Sequence, residues 1–154
     1  MTDPGSIPIA ELLPHGPGMI VIDRLVTYGA GKSVACSQVR RSSKFFDGTG
    51  VPAWAGLEYM AQTVAAHAGF AARQSGRPPP LGFLVGTRSY ECLAAEFPLG
   101  AELAVTVEPL FIEKGLGSFR CAIEHGALLA RAVISTYTPN HDELATLQSR
   151  PAAP

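Results

Sequence analysis

Long apolar runs are missing from this sequence. Nowhere in its 154 residues is there the stretch of roughly 18 apolar residues that a membrane helix needs. An excess of one charge is missing as well. Twelve Lys and Arg stand against thirteen Asp and Glu, so the net charge is only -1. Whole-chain electrostatics therefore give no case for nucleic acid or an anionic membrane as partner. Cysteine is scarce: Cys36, Cys92 and Cys121 are odd in number, far apart and without a CxxC pair. That excludes a disulfide framework and argues against a metal site, and reduced thiols in a cytoplasmic protein are expected. The opening "MTDPGSIPIAELLPHG" has an early acid and no basic region, so it does not read as a signal peptide. No G-x-S-x-G elbow, P-loop or H-E-x-x-H motif occurs.

What is present describes a globular domain. Hydrophobic residues make up 47% and charged residues 16%, enough apolar material for one sizeable core. "IAELL" reads as a helical turn stopped by Pro14. "MIVIDRLVTY" and "KSVACSQVRR" read as strands of a hairpin around "GAG". "SSKFFDGTGVPA" reads as a loop. From Trp54 to about Gln74 the chain is dense in alanine. Leu57, Met60, Ala61, Val64, Ala68 and Ala72 recur at helical spacing there. "SGRPPP" ends that helix, and four strand-like runs follow: "LGFLVGTRSYECL", "AELAVTVEPLFIEK", "GSFRCAIEHG" and "ALLARAVISTYT". Pro109 is expected at an edge or a bulge, because it cannot donate to a ladder. Residues 1–139 read as one α+β domain, with an antiparallel sheet around one long helix, and 140–154 as a flexible tail.

Glu58 is the leading candidate for chemistry. It sits among Trp54, Leu57, Tyr59 and Met60, and Gln62 follows one turn later on the same helix face. Apolar surroundings disfavour the ionised form of a carboxyl group, which tunes an acid toward proton transfer near neutral pH. The plainer alternative is a first-turn acid that complements the helix dipole. Free N–H groups at the helix start, near Ala53, form a second candidate: they would hold a developing oxyanion. His67 is nine residues beyond Glu58 and points the other way on the helix, so a structural role is expected for it. Arg40, Arg41 and Lys44 form a basic cluster before the helix. It is either a solvated loop or a landing site for an anionic group such as a phosphopantetheine phosphate.

Three stretches in order resemble one family. "ELLPHGPGMIVIDRLV", "VPAWAGLEYMAQ" and "LGFLVGTRSYECLAAEFPLGAEL" are similar to the motifs of bacterial 3-hydroxyacyl-carrier-protein dehydratases over roughly residues 8 to 138. Within that family the nearest resemblance is to the dehydratase-like proteins of aryl polyene biosynthesis clusters, through "GVPAW-x-G-x-EYMAQ". The resemblance implies a hotdog fold, a long central helix wrapped by an antiparallel β-sheet, and dimers with sites at the subunit interface. It places the family's acid on Glu58 and its amide on Gln62. It sets Ala53, Trp54 and Gln62 against the substrate, with the Ala53 N–H facing the thioester. It implies no cofactor beyond the phosphopantetheine that carries the substrate, on acyl carrier protein or CoA. The catalytic histidine is a departure, since its position falls on Lys44. A solvated lysine is protonated near neutral pH and is a poor base. His15 belongs to the "LLPH" motif, which the resemblance treats as structural.

The expectation that follows is a 3-hydroxyacyl-thioester dehydratase subunit. It would supply Glu58 to a site completed by a partner's histidine, as a homodimer or as a heterodimer with a histidine-bearing dehydratase, and would work with acyl carrier protein. Three other readings fit the same residues. The chain would be an acyl thioesterase using Glu58 as a base, a helper subunit without catalysis, or an independent dehydratase with His15 brought to Glu58 by the fold.

Overall fold

The computed structural model describes residues 2–149. Eight strands and two α-helices follow a run of short turns. β1 (Arg24–Thr27) and β2 (Ser33–Gln38) form the expected hairpin, closed by a turn in which the Lys32 amide donates to the Gly29 carbonyl. After β3 (Gly50–Pro52) comes α1 (Gly56–Gln74), then β4 (Phe83–Cys92), β5 (Glu96–Pro98), β6 (Glu102–Glu113), β7 (Leu116–His125), β8 (Ala127–Tyr137) and α2 (His141–Ser149). Six strands make one antiparallel sheet in the order β1-β2-β6-β7-β8-β4. β3 and β5 form a separate two-stranded ribbon.

The sheet wraps α1. Tyr59, Met60, Val64, Ala66 and Phe70 of the helix pack into a core with Leu25, Leu103, Val105, Val107, Ile123 and Ile134 of the strands. Small residues bring the backbone of the amino-terminal segment onto α1. A Cβ on Gly69 would collide with the Leu12 carbonyl, so only glycine permits this approach. Leu12 and Leu13 are themselves buried.

Two turns follow from local chemistry. Lys114 and Gly115, at φ 50° and 82°, join β6 to β7, the pair of positive φ values that suits a two-residue hairpin. Pro109 falls at a bulge, where the β6–β7 register shifts between Pro109 and Phe111. Sequence and structure differ in three places. The strand expected to begin at Met19 begins only at Arg24, because the Val21 amide is donated to a side chain of α1. The "SSKFFDGTGVPA" loop contains β3, whose three residues pair with β5. The tail from Asn140 carries a helix, His141–Ser149, capped by the Asn140 side chain accepting from the Glu143 amide at 2.8 Å. Residues 150–154 of that expected tail lie outside the described residues. Among the described residues, no helix is long and apolar enough to cross a membrane.

Candidate active site

Glu58 is the third residue of α1 and is half-buried. Gln62, one turn later, is fully enclosed and makes three hydrogen bonds. Its Oε1 accepts from the Val21 amide at 2.8 Å, and its Nε2 donates to the Met19 carbonyl at 2.7 Å and to Glu58 Oε1 at 2.8 Å. The Val21 amide can only donate, which fixes which end of the Gln62 amide is oxygen. Glu58 Oε1 is thereby an acceptor. Gln62 is a clamp: it orients the acid and ties the Met19–Val21 segment to the helix.

Glu58 lines a cavity of about 160 Å³ between α1 and the adjoining ends of β4 and β8. Ala61, Ala65 and Ala68 form its helical wall, and Phe83, Leu84 and Thr136 its sheet wall. His15 lines the same cavity. The Nδ1 of His15 is buried and has no hydrogen-bond partner among the described residues. A second cavity of about 320 Å³ adjoins the first, sharing Val64, Ala68, Pro80, Thr136 and Thr138, and continues along α1 to Ala72 and Arg77. From Glu58 to Ala72 is about 21 Å at the 1.5 Å rise of an α-helix.

The other expected site residues are placed elsewhere. Ala53 lies before α1 in a short turn, and its N–H is already donated to the Ala95 carbonyl at 3.1 Å. It is not the free oxyanion donor expected of it, because the β3–β5 ribbon extends its pairing to this residue. The Ala53 carbonyl accepts from the half-buried Tyr90 hydroxyl. Trp54 is 64% exposed, stands edge-on to Phe45 at 5.5 Å, and does not line the Glu58 cavity.

The basic cluster is divided. Arg40 is committed to Asp23 through two contacts of 3.1 and 3.2 Å. Lys44 donates to the Gly18 carbonyl at 3.5 Å and lines a different cavity, of about 350 Å³, with Arg40. Arg41 is exposed. So Lys44 does not line the cavity of its own chain's Glu58.

His67 does not line the Glu58 cavity either. It is buried, bonded through Nδ1 to the Ser33 hydroxyl at 2.7 Å and packed on Tyr28. Burial lowers its pKa from the ordinary value, so it is held neutral. Burial also pushes the Cys121 thiol up to about 12, which removes it as a nucleophile near neutral pH. No cluster of three or more metal-ligating side chains occurs among the described residues. Sequence reasoning weighed His15 but gave it no place in the site. His15 and Glu58 line one cavity although 43 positions separate them, which no local pattern signals.

An antiparallel sheet wrapped on one long helix defines the class: a hotdog-fold protein. Within it, residues 7–148 match the model of the ApeP-like family, described as ApeP dehydratase, and the chain belongs to that family. Among solved structures, it is similar to the dehydratase heterocomplex ApeI:P from Xenorhabdus doucetiae. The identity is 26%, covering 94% of this chain and 99% of that one, with a TM-score of 0.84. Two further structures share the fold alone. A hypothetical thioesterase with coenzyme A from Streptococcus pneumoniae TIGR4 is 12% identical over 75% of this chain and 84% of that one (TM-score 0.59). The PaaI protein from the phenylacetic acid degradation operon of E. coli is 13% identical over 75% and 78% (TM-score 0.58). No curated protein matches the chain.

Proposed function

We propose that this chain is the Glu58-bearing subunit of a 3-hydroxyacyl-thioester dehydratase, paired with a second dehydratase that supplies the histidine. The observation that carries the proposal is the division of the site. A carboxyl group oriented by Gln62 faces a cavity that Lys44, turned to the Gly18 carbonyl, does not line, and the resemblance to the family would set its catalytic histidine at Lys44. The similarity to a dehydratase heterocomplex supports the pairing.

In this reading the partner's imidazole removes the α-proton of the substrate. The electron pair forms the α,β double bond as the β C–O bond breaks. Glu58 protonates the departing hydroxyl, and water leaves. The two adjoining cavities along the alanine face of α1 offer the acyl chain an apolar trough.

β4 supports a partner at this face. It is the long edge of the sheet, paired only with β8, and Phe83, Leu84 and Val85 are 45%, 45% and 61% exposed. An unpaired apolar edge is a template for another strand. Exposed Arg41 and Lys44 offer an acidic carrier protein or a phosphopantetheine phosphate a cationic landing point.

The test is reconstitution with the histidine-bearing dehydratase of the same organism and 3-hydroxyacyl thioesters on carrier protein. Glu58→Gln keeps the shape and the contact with Gln62 but cannot donate an acid proton. Dehydration is expected to fall at least a hundredfold. Undiminished dehydration by the variant complex assigns this chain a purely structural part, and release of free thiol in place of enoyl product assigns thioester hydrolysis.

A further inference from the structure

The dehydratase reading assigns no role to His15, yet His15 lines the Glu58 cavity. Its placement is not left to a floppy loop. On one side of it, buried Leu12 and Leu13 anchor the chain, with the Leu12 carbonyl seated on Gly69 of α1. On the other side, Gln62 binds the Met19 carbonyl and the Val21 amide. The same glutamine binds Glu58, so one side chain sets both His15's segment and the acid relative to α1.

Between these anchors the His15 Nδ1 is buried with no protein partner. A buried polar atom without a partner carries a desolvation penalty, and such atoms are few in native proteins. The remaining wall is alanine, valine, proline, glycine, leucine, phenylalanine and two threonines, so His15 and Glu58 are its only titratable groups.

We propose that His15 is a positioning and specificity residue: its imidazole hydrogen-bonds the 3-hydroxyl of the substrate and holds that oxygen beside the Glu58 carboxyl. This rests on the dehydratase reading of the same cavity. It makes the cavity selective for 3-hydroxyacyl chains over saturated acyl chains of equal length. A site built to bond a hydroxyl rejects the analogue without it, because the site's own polar group is then left unpaired.

The test measures binding to the complex with the histidine-bearing dehydratase. The probes are two non-hydrolysable pantetheine amides of one chain length, one carrying a 3-hydroxyl and one saturated. The native complex is expected to prefer the hydroxy amide about tenfold, the worth of one well-made hydrogen bond. His15→Phe is expected to bring the two affinities together while leaving that for the saturated amide within about twofold. His15→Asn, which keeps a hydrogen-bonding side chain on the same wall, is expected to retain part of the preference. If His15→Phe weakens both amides equally, or leaves the preference intact, His15 is structural and the proposal fails while the dehydratase reading stands. If the native complex binds neither amide, both fail together.

Discussion

Gln62→Leu tests the link between fold and site most directly. Leucine nearly matches the volume of glutamine but makes no hydrogen bonds. The variant therefore loses the bonds to the Val21 amide, the Met19 carbonyl and Glu58, at 2.8, 2.7 and 2.8 Å. At about 1 kcal/mol net each, that is about 3 kcal/mol. The Val21 amide is buried, and stranding it costs about 1–3 kcal/mol more. Burying leucine in place of an amide returns about 1–2 kcal/mol. The expected net loss is about 3 kcal/mol. For a domain of this size each kcal/mol moves the melting midpoint about 2–4 °C, so Tm falls by about 10 °C. Thermal melts followed by far-UV circular dichroism measure it. A fall under about 2 °C would refute the clamp.

Gln62→Glu adds a sign that packing cannot imitate. It keeps an acceptor for Val21 but sets a second carboxyl against Glu58. Two carboxyls at hydrogen-bond distance do not both ionise, so one has a folded pKa above its unfolded value. The deficit is then largest near neutral pH, shrinks as pH falls, and is lost below about 4.3, where both states become protonated. A deficit of equal size at pH 7 and pH 5 would show that the two side chains do not meet.

Three further outcomes follow from the same coordinates. Gly69→Ala drives a methyl group into the Leu12 carbonyl, backbone against helix, and is expected to cost about 2–3 kcal/mol in urea unfolding; a neutral result would mean that the amino-terminal segment does not lie on α1. His67 has a folded pKa below its unfolded value, so its neutral form stabilises the fold above about pH 6.5, and that contribution is lost as pH falls through this value toward the folded pKa. The urea midpoint of the native protein should thus drop between pH 7.5 and 5.5, and His67→Phe should flatten that part of the profile. Val85→Lys places a charge on the 61% exposed β4 edge and is expected to weaken the complex with the partner dehydratase at least tenfold in analytical ultracentrifugation, with the melting of the isolated chain unchanged.

The helix and the large sheet were legible because their signals are local. Alanine at helical spacing announces α1, and the bulge at Pro109 follows from one missing N–H. The amino-terminal run misled because its β-rich composition says nothing of where its amides go. The Val21 amide finds Gln62, 41 residues away, and the ladder starts only at Arg24. The β3–β5 ribbon was hidden by its length and its prolines, Pro52 and Pro98. Glu58 and Gln62 were legible as a pair because one helical turn joins them. His15 was not placed with them, since only tertiary packing brings its segment onto α1. Ala53 was misjudged as an open donor for the same reason: Ala95, its acceptor, arrives from a distant turn.

The two ends of the sheet are unlike, and that limits how far strand addition could run. β1 is four residues long, and the turn at Pro4–Ser6 packs beside it, whereas β4 is ten residues long and open. Each copy thus has one sticky end and one stopped end. Joining two sticky ends leaves an object with stopped ends only. Growth by strand addition halts at two subunits, and filaments have no place to begin.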